Sequence, residues 1–388
     1  MYLSLWLFLK IFFLFIYIII CAIITYKVYE EEIQYYTPIY VIKSPSKEGE
    51  KEEVINLHEE FEEYRRKDKP ISFIKLFIGI LLFGFIRFIL NIIFTLIITY
   101  KAFQRAKSKN NKLTKEDIDY IRNSTKFLTK IILKLSGIFI TKKRLPDEKI
   151  LKIYKKYFGP DYKIDYDGKF SCYISNHTCA FDIIFAMAFY GCGFVGKEEI
   201  KSIPFFGKMG LALHSMYVNR NNSGSKNNIL EEIMERQQNF IDGKPVMPFM
   251  IFPEGTTTSG RHILRFKKGA FNSLLPIKAT ILHPNLNHNY HLSCGSSDVG
   301  MNFVRSLAHL YLKAEYIELP IIAPNEYMYK NFAHFGKEKW EIFAVVTREI
   351  MCEIGDFKKS ERGIKDSFRY CSCITKRTLL DSKTYKIE

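Results

Sequence analysis

Residues 169–191, "KFSCYISNHTCAFDIIFAMAFYG", decide how the rest of the chain is read. "KFSCYIS" is a short, largely apolar run of the kind that forms a buried strand. A loop follows from Asn176 to Phe181, and "DIIFAMAFYG" then reads as an apolar helix. The loop holds His177, with Asp182 five positions later. On one continuous helix those two side chains would point roughly 140° apart. They face each other only if the chain turns between them, which a strand, a turn and a new helix provide. Asp182 could then accept the proton on one imidazole nitrogen and hold the tautomer, leaving the other nitrogen to take a proton from a hydroxyl. In a chain with nine histidines such a spacing also arises by chance, so the neighbouring elements must decide.

Working outward, the alternation continues. "CGFVGK", "HSMYVNR", "VMPFMIF", "PIKATIL" and "EYIELPII" read as further strands. "SKNNILEEIMERQQNFIDG" and "KWEIFAVVTREIMCEI" have helical periodicity, and Gly243 is placed to end the first. Strands alternating with helices imply an α/β fold, a mixed sheet covered by helices. No internal repeat is visible.

The first hundred residues differ in kind. Residues 1–26 are almost wholly apolar with Lys10 the only charge before Lys27, long enough for a retained membrane anchor. They lack the basic start and small-residue cleavage site of a signal peptide. Residues 72–100 form a second membrane segment, interrupted by Arg87 beside Gly84. A charge at mid-bilayer is costly, so two solutions stand: a long tilted span with Arg87 facing protein, or two half-helices bent near Gly84 that dip and return. Between the two, residues 27–71 form a charged loop, with eight Lys/Arg against twelve Asp/Glu from Lys27 to Lys69. It reads as a solvated, disordered linker. Residues 101–150 form a basic connector, and within it "KFLTKIILKLSGIFI" (126–140) suits either an interfacial helix or one packed on the globular part. The positive-inside rule places everything after residue 100 in the cytosol.

A net charge of +16 calls for an acidic partner. With no nucleic-acid module visible and membrane segments present, a lipid bilayer is the expected partner and nucleic acid is not. The eight cysteines are scattered without a paired framework and read as reduced thiols. Cys172, His177 and Cys179 lack a fourth ligand at suitable spacing, so no metal site is expected. Cys371 and Cys373, in the basic tail 357–388, carry a weak hint of acylation.

Three further blocks accompany the His177–Asp182 pair. In "FPEGTTTSG", Pro253 sets a turn after a strand. The amides of Glu254 and Gly255 and the hydroxyls from Thr256 to Thr258 could there hold a phosphate or glycerol group. "YVNR" ends a strand at Arg220, whose planar fork suits a phosphate. "RFKKGAF" adds Lys267 and Lys268 a dozen residues past the turn, as positive charge for a phosphate or CoA.

Taken in order, these blocks resemble the glycerolipid acyltransferase superfamily, the lysophosphatidic acid and glycerol-3-phosphate acyltransferases. "NHTCAFD" is similar to its N-H-x-x-x-x-D block, "GLALHSMYVNR" to its G…R block, "FPEGT" to its third block and "IELPIIAP", around Pro320, to its last. The likeness covers roughly residues 125–355, and within the family the chain looks most like the lysophosphatidylcholine acyltransferase branch. It departs at Cys179, where many relatives carry serine, and shows no calcium-loop pattern after the catalytic part.

The resemblance implies a catalytic domain over residues 151–356, with His177 as general base and Asp182 as its orienting partner. Arg220, Glu254, Gly255, Thr256 and Lys267 are implied in substrate binding. Acyl-CoA would be the co-substrate, a lysophospholipid the acceptor, and no bound cofactor or metal is expected. The implied place is the endoplasmic reticulum membrane, with the catalytic domain in the cytosol. Rival readings are a 1-acylglycerol-3-phosphate or glycerol-3-phosphate acyltransferase, a CoA-independent transacylase, and a non-catalytic lipid-binding scaffold.

Overall fold

The computed structural model describes residues 2–37, 39–43, 53–66, 68–108, 113–179, 181–203, 206–219, 223–284, 290–295 and 297–376. Its centre is a seven-stranded sheet. In chain order the strands are β1 (Ile138–Lys142), β2 (Tyr173–Ser175), β3 (Gly193–Lys197), β4 (Met216–Val218), β5 (Phe249–Ile251), β6 (Ile277–Pro284) and β7 (Leu312–Ile322). In space they run β1-β7-β6-β2-β5-β3-β4. Every neighbouring pair is parallel except β6 with β7. The expected mixed α/β sheet is therefore present. The central strands β2 and β5 are buried at every residue. That accounts for their continuous apolar runs, because a strand covered on both faces has no polar side to present.

Helices cover both faces. On one, α3 (Lys115–Leu135) and α5 (Phe181–Tyr190) share a core through residues such as Ile121, Leu128, Phe185 and Met187. On the other, α4 (Asp147–Phe158), α6 (Ser223–Ile241) and α8 (Lys339–Gly355) share a core through Tyr154, Ile233 and Phe343. The chain leaves β2 for β3, yet β5 lies between those two strands. The loops after the parallel neighbours β2 and β5 thus open side by side at one edge of the sheet, where open α/β sheets form their crevice.

The N-terminal part corrects several expectations. Helix α1 (Tyr2–Tyr36) and the helix over residues 73–108, α2, are both long and apolar enough to cross a membrane. The backbone of α2 stays right-handed helical through a π-turn at Ile80–Gly84, so it is not the bent pair of half-helices. One face packs on the protein through Leu76, Ile80, Asn91, Thr95 and Ile98. The opposite face exposes Ile74, Ile78, Leu82, Ile86, Ile89, Ile93 and Ile97 in a stripe at helical spacing. Arg87 does face protein. It donates to the carbonyls of Leu307, His309 and Leu310, at and just past the C-terminus of α7 (Val299–Ala308), where a cation complements the helix dipole. Gly79 lets α2 approach this closely, since a Cβ there would stand 2.2 Å from the carbonyl oxygen of Ala308.

The segment expected to be a solvated linker is docked instead. Tyr40–Lys43 and Glu53–Asn56 pair as antiparallel strands; residues 44–52 lie outside the described residues. Leu57, Phe61 and Tyr64 are buried with Leu264 and Tyr370. Glu63 accepts through its carbonyl from the amide of Ser259 (2.7 Å), and Glu60 pairs with Arg362 (2.6 Å). Charge did not keep this stretch in water, because its acids meet bases of the folded domain. The region 126–140 is likewise two elements: α3 ends at Leu135, Gly137 turns the chain at φ +72°, and β1 joins the sheet edge. The basic connector therefore contributes a strand to the domain. Part of the tail does too: α9 (Ile364–Lys376) packs Tyr370 and Cys373 inward, so burial of the Cys373 thiol argues against its acylation. All eight cysteines are unpaired.

Because residues 57–66 are bonded to the sheet domain, the charged segment and that domain lie on one side of any bilayer. We expect a cysteine at exposed Glu59 in sealed microsomes to react with an impermeant maleimide from the same side as one at exposed Lys330. Protection of position 59 alone would refute this arrangement.

Candidate active site

The loop after β2 folds around one buried carboxylate. Asn176 first extends the strand with its side chain: Nδ2 donates to the carbonyl of Leu282 (2.9 Å) and Oδ1 accepts from its amide (2.7 Å). The chain then turns at His177 and enters α5, with Asp182 in its first turn. Asp182 is fully buried. Its Oδ2 accepts from His177 Nδ1 (2.8 Å) and from the amides of Thr178 and Cys179 (2.9 Å for Cys179). Its Oδ1 accepts from the Thr178 hydroxyl (3.1 Å) and the Cys179 thiol (3.3 Å). A carboxylate only accepts, so Nδ1 carries the proton and Nε2 is left with its lone pair. The His177 side chain keeps 19% of its surface exposed, enough to meet a substrate. The turn required to bring His177 and Asp182 together is thus present.

His177 is held from three further directions. The Phe252 ring stacks on the imidazole, centroids 4.3 Å apart and 20° from parallel. The His177 amide donates to Glu254 Oε1 (2.8 Å), and its carbonyl accepts from the amide of Thr258 (2.9 Å). Glu254 Oε2 accepts from the amide of Leu264 (2.9 Å). Burial raises the Glu254 carboxyl to about 8 even though the Leu264 and His177 amides and Arg348 oppose the rise.

This revises the turn after β5. Gly255 donates its amide to the carbonyl of Phe252 (3.1 Å) and sits at φ +73°, a conformation that favours glycine. A Cβ there would also stand 2.4 Å from Lys267 Nζ. The Thr257 hydroxyl donates to the carbonyl of Gly295 (2.7 Å), that of Thr258 to His177 and His262 carbonyls, and Thr256 Oγ1 lies 3.3 Å from Ser367 Oγ. Most polar groups of this turn brace the His177 loop rather than forming an open phosphate nest. Glu254, fully buried with both oxygens engaged, is a positioning residue and not a group presented to substrate. Gly255 and Thr256 remain at the surface of the turn, with exposed Lys267 folded over it. Arg220 lies outside the described residues.

Sequence reading missed Phe252, whose adjacency to Pro253 was the one available signal. It also missed the segment Leu292–Gly295, where the Cys294 amide donates to the carbonyl of Thr178 (2.9 Å) and ties the loop from behind. The described residues contain no cluster of His, Cys, Asp and Glu suited to a metal.

Residues 167–283 match the family model described as Acyltransferase. The chain is 27% identical over 201 residues to the lysophospholipid acyltransferase LPEAT1 of Arabidopsis thaliana, covering 51% of this chain and 48% of that protein. It is 27% identical over 154 residues to the lysophosphatidylcholine acyltransferase of Drosophila melanogaster, covering 39% and 28% respectively. With the 1-acyl-sn-glycerol-3-phosphate acyltransferase of Neisseria gonorrhoeae it shares 34% identity over 111 residues, covering 28% and 40%. The matches thus span about half or less of those relatives. The segment matched by the family model contains β2 to β6, the His177–Asp182 pair and the Glu254 brace. The chain therefore carries an acyltransferase domain similar to those of the glycerolipid acyltransferase superfamily.

Proposed function

We propose that this chain moves a fatty acyl group from acyl-CoA to the free hydroxyl of a lysoglycerophospholipid. The observation that carries the reading is the His177–Asp182 pair, with Nδ1 committed to a buried carboxylate and Nε2 left for substrate. Nε2 takes the hydroxyl proton as the acceptor oxygen attacks the thioester carbonyl. The tetrahedral adduct collapses with loss of the CoA thiolate, which recovers the proton from the imidazolium. Asp182 stabilises that imidazolium and keeps the ring in the productive tautomer. The step uses the two substrates and this pair alone, with no acyl-enzyme and no metal.

Both substrates carry long acyl chains, so a site at the bilayer surface avoids exposing them to water. The apolar stripe on α2 and the exposed apolar face of α1 supply that contact. The basic stretch after Tyr100 favours the cytosolic side, and we place the chain at the endoplasmic reticulum membrane. Similarity to the Neisseria enzyme favours a second reading, with 1-acylglycerol 3-phosphate as acceptor; glycerol 3-phosphate belongs to the same reading.

Three outcomes are expected. Purified protein with labelled acyl-CoA should acylate one or more lysophospholipids; transfer to lysophosphatidic acid alone would select the second reading, and transfer to none would sink both the lysophospholipid and that reading. His177→Ala should lower transfer at least about a hundredfold while circular dichroism stays unchanged. Glu254→Gln keeps the volume but removes one of two acceptors, so kcat should fall by about a hundredfold with the acceptor KM held. A selective rise in acceptor KM would instead put Glu254 in contact with the acceptor.

A further inference from the structure

Beside the Pro253–Gly255 turn lies a groove of about 1340 Å³, between the loop from Arg265 to Lys268, residues 333–341, α8 and α9. It is larger than the ~300–1,000 Å³ of ordinary small-molecule pockets. Seven Lys and Arg line it against four Asp and Glu. Those four acids are already engaged. Glu341 accepts from the amides of Lys337 (2.6 Å) and Glu338 (3.1 Å). Glu349 pairs with Lys359, outside the groove (2.8 Å), and Glu361 with Arg348 (2.8 Å). Asp366 accepts from the amide of Gly363 (2.9 Å) and lies 3.9 Å from Arg369. Lys268 lies 3.9 Å from Glu338, so the cations left for a ligand are Arg265, Lys337 and Lys365. The Trp340 ring forms part of the wall, with Lys268 Nζ 5.4 Å from its centre.

The groove borders the turn that braces the site already described. The Lys267 amide donates to the carbonyl of Pro253 (2.9 Å), its ammonium lies over Gly255, and Thr256 meets Ser367 of α9. Phe252, one residue before Pro253, stacks on His177. Through Lys267 the groove adjoins the turn whose Glu254 and Thr258 hold His177.

From this geometry we propose that the groove binds the nucleotide end of the acyl donor, its clustered phosphates held by these lysines and Arg265 and its base beside Trp340. The inference rests on the acyltransferase reading above. Several phosphates on one long ligand match an excess of cations spread along the groove. A lysophospholipid head group, with a single phosphate, engages only one or two of them.

The test uses the full chain in detergent with Lys337→Glu/Lys365→Glu, two exposed positions outside the sequence blocks of the site. The KM for acyl-CoA should rise about tenfold or more, with kcat and acceptor KM held. With an acyl-pantetheine donor, which lacks the nucleotide, variant and wild type should match. Adenosine 3′,5′-bisphosphate should compete with acyl-CoA in the wild type and at least tenfold less well in the variant. A rise in acceptor KM instead would assign the groove to the acceptor's phosphate, and equal losses with both donors would show that the nucleotide is not what it holds. Either result overturns the proposal. If the wild type transfers from no thioester, the acyltransferase reading fails separately. Calorimetric binding of adenosine 3′,5′-bisphosphate then decides the groove: loss in the variant supports it, and equal or absent binding overturns it.

Discussion

The rest of the structure depends on where one negative charge is buried. Asp182 sits at the start of α5 with no surface exposed, and a carboxylate taken out of water must find donors or become neutral. Two amides, a hydroxyl, a thiol and the imidazole of His177 supply them. The N-terminus of α5 adds its dipole to the same charge. Satisfying Asp182 forces the tight reversal between β2 and α5, and that reversal turns His177 outward at the sheet edge. Cys179 fits this account: its amide and thiol both serve Asp182, so a thiol here does the bracing work of a hydroxyl with a weaker donor.

A second buried charge cluster fastens the N-terminal part to the domain. Arg66 pairs with Glu32 (2.6 Å) and Asp68 (2.8 Å), and Arg305 of α7 packs against the same two acids. Burial alone would raise Asp68, but the Arg305 and Arg66 guanidiniums outweigh it and hold the carboxyl down at about 2. Such clusters often add little net stability, yet removing a single member leaves a buried charge uncompensated, at a cost of about 3–5 kcal/mol. Their effect here is on geometry. They join α1, the charged segment and α7 at one point, beside the segment Leu292–Gly295 that supports the Thr178 loop. Tyr35 and Tyr64 also close on Gly295, where a Cβ would stand 2.1 Å from the Tyr64 carbonyl oxygen.

The central sheet was legible in the sequence because buried parallel strands leave uninterrupted apolar runs such as "VMPFMIF", and the pairing of His177 with Asp182 because they lie five positions apart across one strand-to-helix turn. Glu254 was legible as a motif and illegible as a role. Its partners are amides of His177 and Leu264, and only the pairing of β2 with β5 brings the first of them near. The docking of residues 57–66 was hidden for a related reason. Composition reports that a stretch is charged but not that Arg362, Lys358 and His262, some two hundred to three hundred residues later, come to meet its acids. Arg87 was readable as a problem, and its solution, the carbonyls ending α7, lay 220 residues or more away.

These couplings bear on how the domain meets a bilayer. A helix crossing the membrane alone would have lipid on every side, and its two ends would lie in different compartments. In α2 one face packs on α7, α3 and the sheet domain, and the other exposes large apolar side chains. The docked charged segment before it and α3 after it both belong to the same folded body. A helix packed along its length on the sheet domain keeps its exposed apolar side fixed relative to that domain. Asp182 fixes His177 relative to the sheet, and Arg87 and the Arg66–Arg305 cluster fix the sheet relative to the helices and their exposed apolar stripe. Losing Arg87 or the Arg66–Arg305 cluster would leave the His177–Asp182 pair in place while loosening how the helices sit on the sheet.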